Sequence, residues 1–195
     1  MTGQIPDEVR YRHRRYAITA VDGTGLFQPG DHGIRPGPLD TACWRGFTCA
    51  YLIRRDRLIL DAVDIGRPED PTAPPELFGV EASTANTEAF RSGALRYRGL
   101  EAPIAFTGRL LLGAGPVHVG YLNMGFRPAW LYQRVHEVTF DAGALTSARD
   151  RSAALAEVRR HLGADGLKPA PNEATGDWIK RTFSLTFSYS WPSID

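Results

Sequence analysis

The stretch Thr41–Gly66, TACWRGFTCAYLIRRDRLILDAVDIG, decides the fold. Phe47, Cys49, Tyr51 and Ile53 fall on one side of an extended strand and Thr48, Ala50 and Leu52 on the other, a period of two. Arg54 to Arg57 make a polar break, and Leu58 to Ile65 reads as a second strand. So short a connection between apolar runs allows only antiparallel pairing of neighbours. Gly66, Pro68 and Pro71 then end the hairpin.

Upstream, residues 1 to 15 are polar, and Arg10, Arg12, His13, Arg14 and Arg15 form the one dense basic run, a solvated arm or strand edge with an anion contact as the alternative. Tyr16 to Val21 alternate as a first strand that ends at Asp22-Gly23. Residues 23 to 40 are a Gly- and Pro-rich loop carrying Asp31 and His32. Downstream, residues 67 to 100 form a long loop or lid-like insertion with a weak helical pattern from Glu81 to Phe90, and Phe78, Phe90 and Tyr97 favour docking on the core. Strands are expected at Ile104–Leu112 and Val117–Met124, joined by a turn at Gly113-Ala114-Gly115-Pro116. Further strands follow at Trp130–Phe140 and, after Asp141-Ala142-Gly143, at Ala144–Ser147. Leu155, Val158 and Leu162 recur at three and four, an amphipathic helix stopped by Gly163 and capped by Ser147 or Asp150. From Trp178 to Trp191, Phe183, Leu185, Phe187, Tyr189 and Trp191 alternate with Thr and Ser, the pattern of a final core strand.

The count is eight or nine strands with one helix in the C-terminal half, and strands and helices do not alternate as a parallel sheet requires. A mainly β fold, an antiparallel barrel or sandwich, is therefore expected over a single domain, 1–195. At 195 residues one core can bury roughly 70% of the unfolded surface. The formal net charge of +1 gives no global attraction to nucleic acid or to an anionic membrane, so neither is expected as a partner. The N-terminus lacks a signal-peptide core and no apolar run approaches the ~20 residues of a span. With two cysteines read as reduced thiols about 20 Å apart along the strand, the expected location is cytoplasmic.

Cys43 is the candidate nucleophile, a thiol beside the cation Arg45, with His32 as its base and Asp31 or Asp40 as the orienting carboxylate. A buried, unreactive cysteine is the plainer alternative. Trp44 and Arg45, with Tyr121 and Trp130 from the aromatic-rich segment around Gly120 and Gly125, are candidate ligand-binding residues, since an aromatic face and a guanidinium together hold flat or anionic groups. The competing view is a structural corner: Trp44 in the core, Arg45 paired with Asp61 or Asp64, and Gly46 admitting a neighbouring backbone. His118 and His136 meeting across strands are a weak metal signal, and Asp61 and Asp64 are placed on opposite strand faces. No metal and no cofactor is expected. Gly23–Gly25 and Gly113–Gly115 lack the strand–helix setting of a nucleotide fingerprint.

The chain also resembles a family of small uncharacterised bacterial proteins that share T-A-C-W-R-G before an aromatic, here Thr41 to Phe47. The same proteins carry an aromatic-x-G-x-L strand, matched by Phe106 to Leu110, and a met-gly-aromatic element, matched by Met124, Gly125 and Phe126. The likeness covers about residues 16 to 146. In that family a histidine tends to precede the methionine, where this chain has Asn123, so no role for it carries over. The resemblance implies that Cys43, Trp44, Arg45 and Gly46 act together and supplies neither substrate nor reaction.

Two functions follow from the sequence. One is a non-enzymatic protein that holds a small molecule or a protein partner at the Trp44, Arg45, Tyr121 and Trp130 site. The other is an enzyme using Cys43 with His32, or a barrel that shapes a substrate for cyclisation or isomerisation without a cofactor. An uncovered sheet edge that pairs two copies as a homodimer is the structural alternative.

Overall fold

The structure is a computed structural model that describes residues 3–68, 76–85, 93–120, 122 and 124–194. It is mainly β. Nine strands make one sheet: β1 (Glu8–Tyr11), β2 (Arg14–Thr24), β3 (Phe47–Arg54), β4 (Arg57–Ile65), β5 (Ser83–Ala85), β6 (Ala94–Pro103), β7 (Thr107–Pro116), β8 (Tyr132–Asp141) and β9 (Ala144–Asp150). Their order is β3-β1-β2-β7-β8-β9-β4-β6-β5, and β3 also pairs with β4. That last pairing closes a seven-stranded barrel, with β6 and β5 continuing the sheet from β4. All pairings are antiparallel except β1 with β3.

The β3–β4 hairpin forms as its alternation requires, from Phe47 opposite Ile65 to Arg54 opposite Arg57. Leu58 and Leu60 face inward, and so do Val63 and Ile65, three residues on instead of two. An irregularity opposite Ala50 and Tyr51 absorbs the extra residue, which is what a β-bulge does. The bulge also corrects the placement of Asp61 and Asp64: both line one outer groove with Arg96 and Arg98, and Asp64 pairs with both arginines at 3.1 and 2.6 Å.

The barrel interior is filled by side chains, among them Ile18, Tyr51, Leu60, Tyr97, Phe106, Leu110 and Phe140. A barrel of this strand number has just enough interior for that. A second core lies outside the barrel wall, where Leu111 and Val135 meet Trp130, Leu131 and the helix α1 (Ser152–Leu162). Leu155 and Val158 are the buried stripe of α1, and the Asp150 carboxylate accepts the Ser152 N–H at 2.8 Å near its start.

Several expectations are corrected. The Gly113–Pro116 stretch is strand, not turn, because β7 runs through it beside β8. Gly113 lies under the Tyr132 ring, where an added Cβ would stand 2.6 Å from the ring carbon. Asp22-Gly23 is likewise inside β2. No strand follows at 117–124 among the described residues. In the 67–100 interval, β5 and the start of β6 are strands, while most of the segment with the weak helical pattern, and Phe90, lie outside the described residues. The C-terminal alternation does not form a strand. It folds as α2 (Thr175–Thr182) and the one-turn α3 (Phe187–Ser190). β1 covers only Arg14–Ala17 of β2, and beyond it the segment makes a single ladder-like bond, the Val21 N–H donating to the Leu185 carbonyl at 2.7 Å, while helical turns satisfy much of the rest of its backbone. Its large side chains cap the barrel wall: Phe187 lies under Arg109 and Trp191 under Arg151. Among the described residues no helix is long and apolar enough to cross a membrane.

Where β2 meets β7, Gly23 and Gly108 are directly opposite. Gly108 has φ +137, and a Cβ there would stand 2.2 Å from the Asp22 carbonyl oxygen. Gly108→Ala is expected to destabilise the fold by about 3 kcal/mol or more, read as a lowered urea midpoint, and a loss of under about 1 kcal/mol would show the contact to be soft.

Candidate functional site

Asp7 precedes β1 and is 5% exposed. Its carboxylate accepts a two-pronged contact from Arg45, with Nη1 donating at 2.9 Å and Nη2 donating to the other oxygen. The Cys49 N–H donates to the same carboxylate at 2.6 Å, and the Asp7 carbonyl accepts the Ile18 N–H at 2.8 Å. Arg45 Nε donates to the Phe47 carbonyl at 2.8 Å, and its guanidinium lies 4.5 Å from the Phe47 ring centre. Burial alone would lower the Arg45 guanidinium, but the charge and hydrogen bonds of Asp7 outweigh it and hold it above its ordinary value. The expected partner of Arg45, Asp61 or Asp64, is thus replaced by Asp7.

This ion pair fixes the loop that presents Trp44. Gly46, at φ +79, admits the Gly37 carbonyl to 2.5 Å of where a Cβ would be, the close backbone approach expected of it. Trp44 does not fill the core. It is 58% exposed and stacks on Phe183, ring centres 4.7 Å apart. Its indole Nε1–H donates to the Thr41 carbonyl at 2.8 Å, and its backbone N–H to Gln4 Oε1 at 3.1 Å.

Opposite stands the Met124-Gly125-Phe126 element. Gly125 has φ +78, and a Cβ would collide with the Thr182 carbonyl at 2.2 Å. The Phe126 N–H donates to that same carbonyl at 2.8 Å, and the Tyr189 hydroxyl donates to the Phe126 carbonyl at 2.8 Å. The N-terminal strand end threads between the two motifs, with Gln4 N–H donating to Gly125 O and Ile5 N–H to Ala42 O, each at 2.7 Å. The result is a groove of about 320 Å³ lined by Gln4, Trp44, Arg45, Phe126, Phe183 and Leu185.

The remaining expected residues fall elsewhere. Trp130 is 1% exposed in the core between β8 and α1, so it lines no ligand surface. Tyr121 lies outside the described residues. Cys43 is 1% exposed, packs with Leu39 and Ala94, and donates its thiol to the Phe47 carbonyl at 3.2 Å. Burial pushes that thiol up against the opposing pull of Arg45. His32 is occupied between the rings of Phe27 and Phe78, 5.1 Å from each, and is not the hydrogen-bond partner of Cys43. Cys49 is also a free thiol, pushed well up by burial and by Asp7. His118 lies beyond the end of β7, while His136 sits edge-on to Tyr11 and Tyr16. Among the described residues no three His, Cys, Asp or Glu side chains gather as metal ligands.

Sequence reasoning missed Asp7, which belongs to no pattern, and assigned Phe183 and Leu185 to a core strand. Phe126 carried a signal, the glycine before it, since Gly125 has no room for a side chain.

Asp7→Ala leaves the partly buried Arg45 cation without its partner and the buried Cys49 N–H without its acceptor, and is expected to cost about 3 kcal/mol of stability, measured by urea denaturation. A cost below about 1 kcal/mol would mean that water replaces Asp7. In the folded Cys49→Ser protein, Cys43 is expected to resist iodoacetamide at neutral pH and to react only on unfolding. Rapid labelling of the folded chain would instead show an accessible thiolate. Comparison of the chain with protein-family models, with curated proteins and with solved structures finds no match.

Proposed function

We propose that this protein is a non-enzymatic binding protein that holds a flat, largely apolar small molecule against Trp44. The observation that carries this is the exposed indole already stacked on Phe183 at the mouth of a groove that Phe126 and Leu185 also line. An indole that keeps its N–H satisfied by Thr41 presents its free ring area without a polar penalty. The groove of about 320 Å³ has the size of a small-ligand site. Arg45 contributes apolar and cationic edge, but its fork is engaged by Asp7 and Phe47, so the occupant is recognised by stacking more than by charge. Two free, buried thiols agree with a reducing, cytoplasmic setting.

The enzymatic alternatives have less to support them. Cys43 bonds a carbonyl instead of a base, and the barrel lumen that would shape a substrate is occupied by side chains.

A fluorescent aromatic probe, 8-anilinonaphthalene-1-sulfonate, is expected to bind the folded protein saturably at one site. Trp44→Ala and Phe183→Ala should each weaken it by about tenfold, the scale of one lost aromatic stacking surface, while Trp44→Phe retains most of the affinity. Equal affinity in the parent and both alanine variants, by titration at matched stability, would overturn the proposal.

A further inference from the structure

The basic run at the start of the chain finds a use that the groove at Trp44 does not explain. Because β1 pairs parallel with β3, the β1–β2 turn and the β3–β4 turn emerge side by side at one end of the barrel, about one strand spacing, ~4.8 Å, apart. Both are two-residue turns, Arg12-His13 closing Tyr11 on Arg14 and Arg55-Asp56 closing Arg54 on Arg57. Between them lies a concavity of about 600 Å³ whose polar lining is Arg10, Arg12, His13, Arg54, Arg55 and Asp56.

Charge neutralisation distinguishes this hollow from the neighbouring groove that shares Arg10. In the neighbour, Arg96 and Arg98 are both bound by Asp64. There too Arg15 stands 3.8 Å from Glu8, whereas in this hollow Arg54 pairs with Glu101 at 2.9 Å and Asp56 is the one acidic residue of the lining. Arg10, Arg12, Arg14, Arg55 and Arg57, all exposed, make no ion pair with an acidic side chain among the described residues. In a chain of net charge +1 this is a local segregation of positive charge, the kind that concentrates an anion.

The turn backbone bears on the same point. Arg12, His13, Arg55 and Asp56 have φ of +47, +64, +49 and +55, the left-handed conformation at both central positions that Asn and Gly accept most easily. His13 and Asp56 also suit that conformation, so it is Arg12 and Arg55, at the first position of each turn, that the turns do not need for their own sake. We infer that the paired turns form an anion site for a small molecule bearing two or more phosphate groups, with guanidinium forks from Arg12 on one turn and Arg55 on the other gripping successive phosphates. Forked contact to phosphate oxygens is what arginine supplies and a point-charge cation does not, and cations on two separate turns reach more than one phosphate.

The test is calorimetric titration of the full chain with inorganic tripolyphosphate and with orthophosphate at about 0.15 M salt, where surface attraction is screened beyond ~8 Å. Saturable one-to-one binding of tripolyphosphate, with orthophosphate at least about tenfold weaker, is expected. The double variant Arg12→Asn and Arg55→Asn should keep or raise the melting temperature, since asparagine suits both turns, and yet lose tripolyphosphate binding by tenfold or more. Arg160→Gln, on the exposed face of α1 and paired there with Glu157, should bind as the parent does. No saturable binding, unchanged binding in the double variant, or an equal loss in Arg160→Gln would each overturn the inference. Tighter binding of a duplex oligonucleotide or of phosphatidylserine vesicles than of tripolyphosphate would overturn the small-molecule assignment.

Discussion

The ion pair between Asp7 and Arg45 is the constraint from which most of the remaining structure takes its position. Asp7 hydrogen-bonds both strands that flank β1, accepting from Ile18 of β2 on its carbonyl and from Cys49 of β3 on its carboxylate. β1 has four residues, too few to insert between two long strands on ladder bonds alone. The buried charge gives it a fixed register, because any slip would strand Arg45 in a site it cannot leave without losing both Asp7 contacts. A buried pair of this kind adds little net stability over an apolar substitute. It sits where β1 enters its pairing with β3, which is the parallel one among the strand pairings of the described residues.

The parts of this fold legible in the sequence are those where one physical demand dominates. In β3 and β4 each strand has one face in the barrel, so the period of two survives, and even the three-residue step from Leu60 to Val63 is readable once a bulge is allowed. In α1 a single stripe is buried and the helical period survives as well. Misreadings arise where a residue type serves a second demand. Gly113 and Gly115 look like a turn but make room for the Tyr132 ring and for Gln133. In β6 the inward residues Leu95, Tyr97 and Leu100 lose their alternation near Gly99 and Glu101, both at positive φ. The perfect alternation from Phe183 to Trp191 describes side chains laid over a barrel wall, each on a different partner, and not a ladder.

The site was half legible for a related reason. Trp44 and Arg45 stand together where the sequence put them, but their roles are exchanged relative to the simple expectation: the cation is partly buried and neutralised, and the indole is outside. Arg45 is spent on architecture so that Trp44 can be displayed. Trp130 has the same composition-level appeal and the opposite fate, because it lies between β8 and α1 where the outer core needs volume. Nothing in a single sequence separates two tryptophans in this way, since the difference is made by Phe183, which lies 139 positions further along the chain than Trp44.

β1 also runs between the Trp44 groove and the hollow at the two basic turns. Its burial alternates, with Glu8 and Arg10 outward and Val9 and Tyr11 inward, so one short strand presents charge to solvent and apolar area to the barrel. At its start Asp7 neutralises the cation behind the Trp44 groove. At its end the turn carries Arg12 beside Arg55, and neither makes an ion pair with an acidic side chain among the described residues, while Arg54 is paired with Glu101. A stacking surface and a cationic hollow therefore occupy opposite ends of the same element. The parallel β1–β3 pairing also brings the two basic turns together. Had β1 paired antiparallel to β3, its end would lie beside the start of β3, and the Arg12-His13 turn would be separated from Arg55 by the length of the strand.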